Sequence, residues 1–165
     1  AANAPDAQAM WESMFSLWAC VAARTNIVYH AAGWLEGGLC ASYEKFVMDC
    51  ETLQNIIHYM EPVPMTPDDL AFDAIREVGP SGHFFGAAHT QSRYTTAFYS
   101  PFLSDWRNYK AWEEAGAVQT PERAMKIWKQ ILAEFEPPPM DPAIKEELEA
   151  FVERRKREGG APTDF

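Results

Sequence analysis

The sequence predicts a mostly helical α/β chain: one strand-to-helix unit of a larger repeated array, continued by a helical extension. Three observations carry this. The β-branched run Thr25-Asn26-Ile27-Val28-Tyr29 is the one convincing strand, and it delivers His30 into a glycine-rich loop, Ala31-Ala32-Gly33-Trp34-Leu35-Glu36-Gly37-Gly38-Leu39, from which a helix follows. Helical spacing and capping signatures account for the remainder. A lone strand leaves both edges unpaired, so the rest of the sheet is expected beyond these residues. The opening Ala1-Ala2-Asn3-Ala4-Pro5-Asp6 has no initiator methionine, and a fragment explains both facts.

Taken in order, Asp6 opens a helix in which Trp11, Phe15, Trp18 and Ala22 form one stripe and Met10, Met14, Leu17 and Val21 a second, a face wide enough to predict burial on most sides. After the strand and loop, Ser42 opens a helix whose stripe is Phe46, Cys50, Leu53 and Ile57, ended by Pro62-Val63-Pro64. Three further helices announce themselves by a capping residue before proline: Thr66-Pro67, Thr120-Pro121 and Asp141-Pro142. Proline at the first helical position gives up an N–H that has no intrahelical partner, and the preceding hydroxyl or carboxylate accepts from the next free N–H groups. The Thr66 helix is expected to reach Val78, ahead of a Gly79-Pro80-Ser81-Gly82 turn. A polar helix near 89–98, two helices near 105–115 and 121–135, and a Pro137-Pro138-Pro139 stiffener come next. The last helix runs from Pro142 to about Glu158 and frays into Gly159-Gly160.

Composition narrows the classes of function. With 165 residues, 47% apolar and 13% aromatic, the chain can bury a core. A formal charge of −10 and no basic block exclude nucleic acid or an anionic membrane as an electrostatic partner. No apolar stretch approaches the roughly 20 residues of a membrane span. The three cysteines, Cys20, Cys40 and Cys50, form no CxxC pair and read as reduced thiols of a cytoplasmic protein. His83 and His89 flank a glycine turn at a spacing that matches no common metal set, so no metal is expected. There is no Walker loop, dinucleotide fingerprint or Gly-x-Ser-x-Gly.

Several ordered runs carry a resemblance. They are Pro5-Asp6-Ala7-Gln8-Ala9, the loop from His30 to Leu39, Ala41-Ser42-Tyr43-Glu44-Lys45-Phe46 and Asp73-Ala74-Ile75-Arg76-Glu77-Val78-Gly79-Pro80. Gly82-His83-Phe84-Phe85-Gly86, Ala87, His89-Thr90 and Ser104-Asp105-Trp106-Arg107-Asn108-Tyr109 continue the register. Over essentially its whole length the chain resembles the C-terminal third of the trimethylamine methyltransferase family, which includes relatives that demethylate quaternary amines such as glycine betaine. The resemblance implies a TIM (β/α)8 barrel, with residues 1–80 its terminal βα portion and 81–165 a helical extension packed on it as one compact unit. A barrel needs roughly 250 residues to close, so the chain alone is expected to be inactive. For the parent polypeptide the resemblance implies transfer of a methyl group from a methylated amine to the cobalt of a corrinoid carried by a separate protein. That corrinoid protein and the amine are the implied partners, and no cofactor is expected on the fragment itself. Trimethylamine is handled in the family with pyrrolysine; the sequence holds none, which favours the quaternary-amine branch unless the corresponding position precedes Ala1.

On that basis His30 is the candidate catalytic residue, a barrel-mouth imidazole for the substrate's polar end or the approaching corrinoid, or else a histidine satisfied by loop carbonyls. Trp34, Glu36, Tyr29 and Gly33 are the candidate substrate-binding residues. The Trp34 face could hold a quaternary ammonium, a contact of roughly 0.5 to 2 kcal/mol, or pack on the barrel wall. Glu36 could complement the same cation or cap the helix after Gly38; Gly33, Gly37 and Gly38 admit positive φ. The runs Arg93-Tyr94-Thr95-Thr96-Ala97-Phe98-Tyr99 and 105–109 suit an interface or an intramolecular tie. Glu146-Glu147 and Arg154-Arg155-Lys156-Arg157 read as solvated faces. The alternative function is a non-catalytic helical structural and docking module. A fragment that bares Met10, Trp11, Met14 and Trp18 is expected to form a homo-oligomer or a swapped arrangement.

Overall fold

The computed structural model of the chain describes residues 1–159; Gly160, in the expected frayed end, lies outside the described residues. Two compact units are found, Ala1–Ile131 and a second from Leu132 onward. In the first, α1 (Ala7–Ala22) begins where the Asp6 carboxylate accepts from the Ala9 N–H at 3.1 Å. A two-residue hairpin follows, β1 (Trp34–Leu35) and β2 (Cys40–Ala41), antiparallel with Trp34 opposite Ala41 and Leu35 opposite Cys40. The α2 helix (Tyr43–Tyr59) is capped by Ser42, whose hydroxyl accepts from the Lys45 N–H. Then come α3 (Phe72–Val78), the short α4 (Ala88–Gln91), α5 (Tyr109–Glu114) and α6 (Thr120–Ala133). In the second unit, α7 (Pro142–Arg157) starts at Asp141, whose carboxylate accepts from the Ala143 and Ile144 N–H groups, with Pro142 at the first helical position.

The architecture is mostly helical with a small sheet, which is compatible with an α/β protein. It departs from the sequence reading at four places. Residues 25–29 form no strand: Ile27 and Tyr29 are 69% and 83% exposed, and no described segment pairs with them. β-branched residues favour extended backbone only where a ladder takes up the N–H and C=O groups, and the described strands are elsewhere. The helix expected from Thr66 to Val78 breaks in two. Thr66 and Asp69 cap each other as predicted of a helix start, but Ala71 sits at φ +54°, a left-handed value that ends the turn before α3 begins. The expected polar helix of 89–98 shrinks to α4.

The fourth departure concerns what is buried. Of α1 only Ala9 and Leu17 are buried, whereas Trp11, Phe15 and Trp18 are exposed. On α2 the apolar stripe is not the inner face: Phe46 and Ile57 are exposed, and the helix instead buries Lys45, Val47, Met48, Asp49, Glu51, Thr52 and Ile56. Val47 and Met48 meet Leu103 and Ala124, with Met10, Ile127 and Trp128 packed around them. A second cluster joins Ala2, Ala9 and Leu35.

Burial of three ionisable groups on one helix is tolerable because each is paired. Lys45 Nζ donates to both Asp49 carboxylate oxygens at 2.5 Å and to Ser13 Oγ of α1 at 2.6 Å. Asp49 Oδ2 also accepts from the Gly33 N–H at 2.8 Å. Glu51 accepts from the backbone N–H groups of Leu103 and Ser104 at 2.5 and 2.9 Å, and from the Ser104 hydroxyl. Glu44 accepts from the Trp128 indole at 2.8 Å, which holds its carboxyl below the usual range. Arg123 closes the same side by donating to the Leu103 and Val118 carbonyls.

Uncovered indoles and a phenyl ring on one helix predict self-association. Light scattering of the purified chain should show species larger than a monomer that shift toward monomer when Trp11 and Phe15 are both replaced by Gln. A monodisperse monomer at high concentration contradicts this.

Candidate functional site

The glycine loop is fixed from below. Gly33 is buried at φ +86°, and an added Cβ would lie 3.2 Å from Phe46 Cβ. Its N–H goes to Asp49 and its carbonyl accepts from the Ser42 N–H at 2.8 Å. From there the chain passes directly into β1, which presents Trp34, while the preceding residue pair reaches back to His30 at φ +57°.

A cavity of about 280 Å³ lies between this loop and α1. Tyr29, His30 and Trp34 border it from the loop, and Glu12, Ser13 and Lys45 from the helices. The His30 and Trp34 rings meet edge to face with centroids 4.8 Å apart, and Tyr29 follows at 6.5 Å from His30. His30 is exposed, and its imidazole has no hydrogen-bond partner among the described residues. Trp34 is 38% exposed. The cavity is near the lower end of the volume range of small-molecule pockets.

Of the residues singled out from sequence, the structure brings Tyr29, His30 and Trp34 together and leaves Gly33 and Glu36 off the cavity wall. Gly33 acts through its backbone, as above. Glu36 accepts from the Cys40 thiol at 3.0 Å, which raises the Cys40 pKa, and its backbone N–H donates to the Ala2 carbonyl. The residues that sequence reasoning missed are Glu12, Ser13, Lys45 and Asp49. An i, i+4 Lys–Asp pair ordinarily reads as a solvated helix face; the one available signal was that Lys45 falls inside a run shared with the family.

Elsewhere the motifs are used internally. His89 Nε2 lies 2.8 Å from the Asp68 carbonyl, and His83 rests against Phe85. Arg93 pairs with Asp68, and Tyr99 donates to Gln54 Oε1 at 2.9 Å. Arg107 grips Asp105, pulling its carboxyl down to about 2. Among the described residues no group of His, Cys, Asp or Glu is arranged to hold a metal ion, and no helix is long and apolar enough to cross a membrane.

A mostly helical chain with a small two-stranded sheet, and an imidazole and aromatic rings at a loop cavity, is compatible with an α/β protein. Its family is specific: the model of the trimethylamine methyltransferase family matches residues 1–160, and the chain belongs to that family. It is 43% identical over 155 residues to a glycine betaine methyltransferase of Desulfitobacterium hafniense (strain Y51), covering 94% of this chain and 32% of that protein. Identity is 32% to a trimethylamine methyltransferase of Desulfitobacterium hafniense (strain DSM 10664 / DCB-2), covering 94% of this chain and 31% of the relative. To a trimethylamine methyltransferase of Methanosarcina mazei it is 30%, with 94% and 31% covered. The chain spans about a third of the length of these relatives.

The buried pair under the loop yields a double-substitution test. Lys45→Met leaves Asp49 buried without its cation and should cost about 3–5 kcal/mol of unfolding free energy. Lys45→Met with Asp49→Leu should recover part of that loss in urea melts while leaving the Gly33 N–H without an acceptor. Additive losses contradict the pairing.

Proposed function

We propose that this chain is the C-terminal part of a methyltransferase that moves a methyl group from a quaternary amine of the glycine betaine type to the cobalt of a corrinoid on a separate protein. In that polypeptide residues 1–80 would complete the TIM barrel, with 25–29 taking a strand's place once neighbouring strands supply the ladder, and 81–165 would form the helical extension. The observation that carries the reading is His30: an imidazole without a hydrogen-bond partner among the described residues, set against an indole at the mouth of a cavity. Higher identity to a glycine betaine methyltransferase than to the trimethylamine enzymes supports the quaternary-amine branch.

The chemistry assigns work to these residues. A corrinoid, when presented by its protein, supplies the nucleophilic metal. It would approach from outside at the open mouth where His30 is exposed, and the residues of this chain at that mouth act on the substrate. As the carbon–nitrogen bond breaks, nitrogen keeps the electron pair and the substrate leaves as a neutral tertiary amine, so no proton is required. The protein's part is orientation and charge management. A quaternary ammonium has no N–H to donate, so aromatic faces must hold it. Trp34 and Tyr29 supply those faces, and His30 holds the substrate's polar end at the mouth.

The test uses the full-length protein with a corrinoid protein and a reductant, offered a panel of quaternary amines and trimethylamine. Consumption of a quaternary amine is expected; turnover of trimethylamine alone, or of nothing, contradicts the reading. His30→Ala should lower turnover by roughly 10², the scale of a lost positioned polar group, with the melting temperature unchanged. Trp34→Leu should weaken glycine betaine by about 1 kcal/mol relative to 3,3-dimethylbutanoate, its neutral-headed isostere. Equal losses for both ligands would make Trp34 a packing residue.

A further inference from the structure

The cavity carries one anionic side chain that the loop motif does not contain. Glu12 projects from the middle of α1 into the space bordered by Tyr29, His30 and Trp34. Both of its oxygens are occupied by uncharged donors: Oε1 accepts from the Gln8 amide and Oε2 from the Ala2 N–H, each at 2.8 Å. Neutral donors fix the carboxylate without cancelling its charge. The remaining ionisable groups of the lining are the Ala1 amino group, Cys20, Tyr29, His30 and Lys45; both cations act on Glu12, but Lys45 is already committed to Asp49 in a buried pair with side chains 3% and 1% exposed, and in the longer polypeptide proposed above the Ala1 nitrogen is an uncharged peptide N–H. Glu36, the carboxylate within the loop, faces Cys40 and does not border the cavity.

We propose that Glu12 is the counter-charge for the ammonium group of the substrate, a specificity-determining residue contributed by α1 rather than by the glycine loop. This rests on the quaternary-amine reading above and refines it. A trimethylammonium head spreads its charge over its methyl groups and has no N–H to donate, so a carboxylate held by other donors keeps both of those hydrogen bonds while facing it. Such an arrangement favours a fixed cation over an uncharged head of the same shape, because only the cation gains Coulomb energy in a half-enclosed site. The Gln8 amide first, and the Ala2 N–H second, hold the Glu12 carboxyl below its usual range, so it stays charged through mildly acidic pH. Aromatic rings then set the shape of the head and Glu12 its charge.

The experiment compares binding of glycine betaine and 3,3-dimethylbutanoate to the full-length protein by calorimetry, for wild type, Glu12→Gln and Glu12→Asp. Gln keeps an oxygen for the Ala2 N–H, so the loop should stay folded, and an unchanged melting temperature verifies it. Glu12→Gln should raise Kd for glycine betaine on the order of tenfold and leave 3,3-dimethylbutanoate binding unchanged or tighter; Glu12→Asp should recover most of the loss. In turnover the effect should fall on KM rather than kcat. Unchanged betaine binding in Glu12→Gln, or equal weakening of both ligands, overturns the assignment while the quaternary-amine reading stands. If the wild type binds neither betaine nor its analogues, that reading fails and the assignment falls with it.

Discussion

The buried Lys45–Asp49 pair is the constraint on which the candidate site depends. Two charges removed from water would be costly alone, but here each is saturated: the ammonium by a bidentate carboxylate and the Ser13 hydroxyl, the carboxylate by the ammonium and the Gly33 N–H. This one cluster touches three segments at once, α1, α2 and the glycine loop. Because Gly33 is held by hydrogen bonds on both sides of its peptide, the short β1 that follows has a defined start, and Trp34 and His30 are placed relative to α1. A hydrophobic replacement could stabilise the helix pair equally well; it could not hold an N–H. That is a physical reason for charges to be inside.

The same helix repeats the device at other points along its length. Glu44 holds the Trp128 indole and Glu51 holds the turn at Leu103 and Ser104. Directional bonds from α2 thus replace much of the broad apolar core that the composition seemed to promise, and the apolar mass goes elsewhere. Trp11, Phe15 and Trp18 lie on the outside of α1, Tyr43 and Ile57 on the outside of α2. Exposed aromatic surface of this kind is seldom left to water. It agrees with a chain that spans about a third of its relatives' length.

What was legible in the sequence were features fixed by local chemistry. The caps at Asp6, Ser42 and Asp141 need only one side-chain oxygen and the adjacent free N–H groups, and they appear where expected. The clustering of Tyr29, His30 and Trp34 was legible because a glycine loop keeps neighbours in sequence close in space. Features set by partners were not. A β-branched run at 25–29 is a strand only beside another strand, and the burial of Lys45 and Asp49 follows from a hydrogen bond to a residue 16 positions away. Ala71 in the left-handed region has no local signature either, since glycine or asparagine would be the ordinary occupant. Glu12 belongs to the same class: nothing in its neighbourhood on α1 announces that the loop will fold back over it.

If the clamp under the loop is what builds the cavity, order at Gly33 and affinity for a quaternary amine must rise and fall together. The direct measurement is amide hydrogen exchange at Gly33 in the full-length protein, wild type against Asp49→Asn, alongside glycine betaine binding. The account predicts a protected Gly33 amide in the wild type, with protection and betaine affinity both reduced in the variant while the amides of α6 stay protected. A Gly33 amide that exchanges freely in the wild type, or one that loses protection in Asp49→Asn with affinity unchanged, would contradict it.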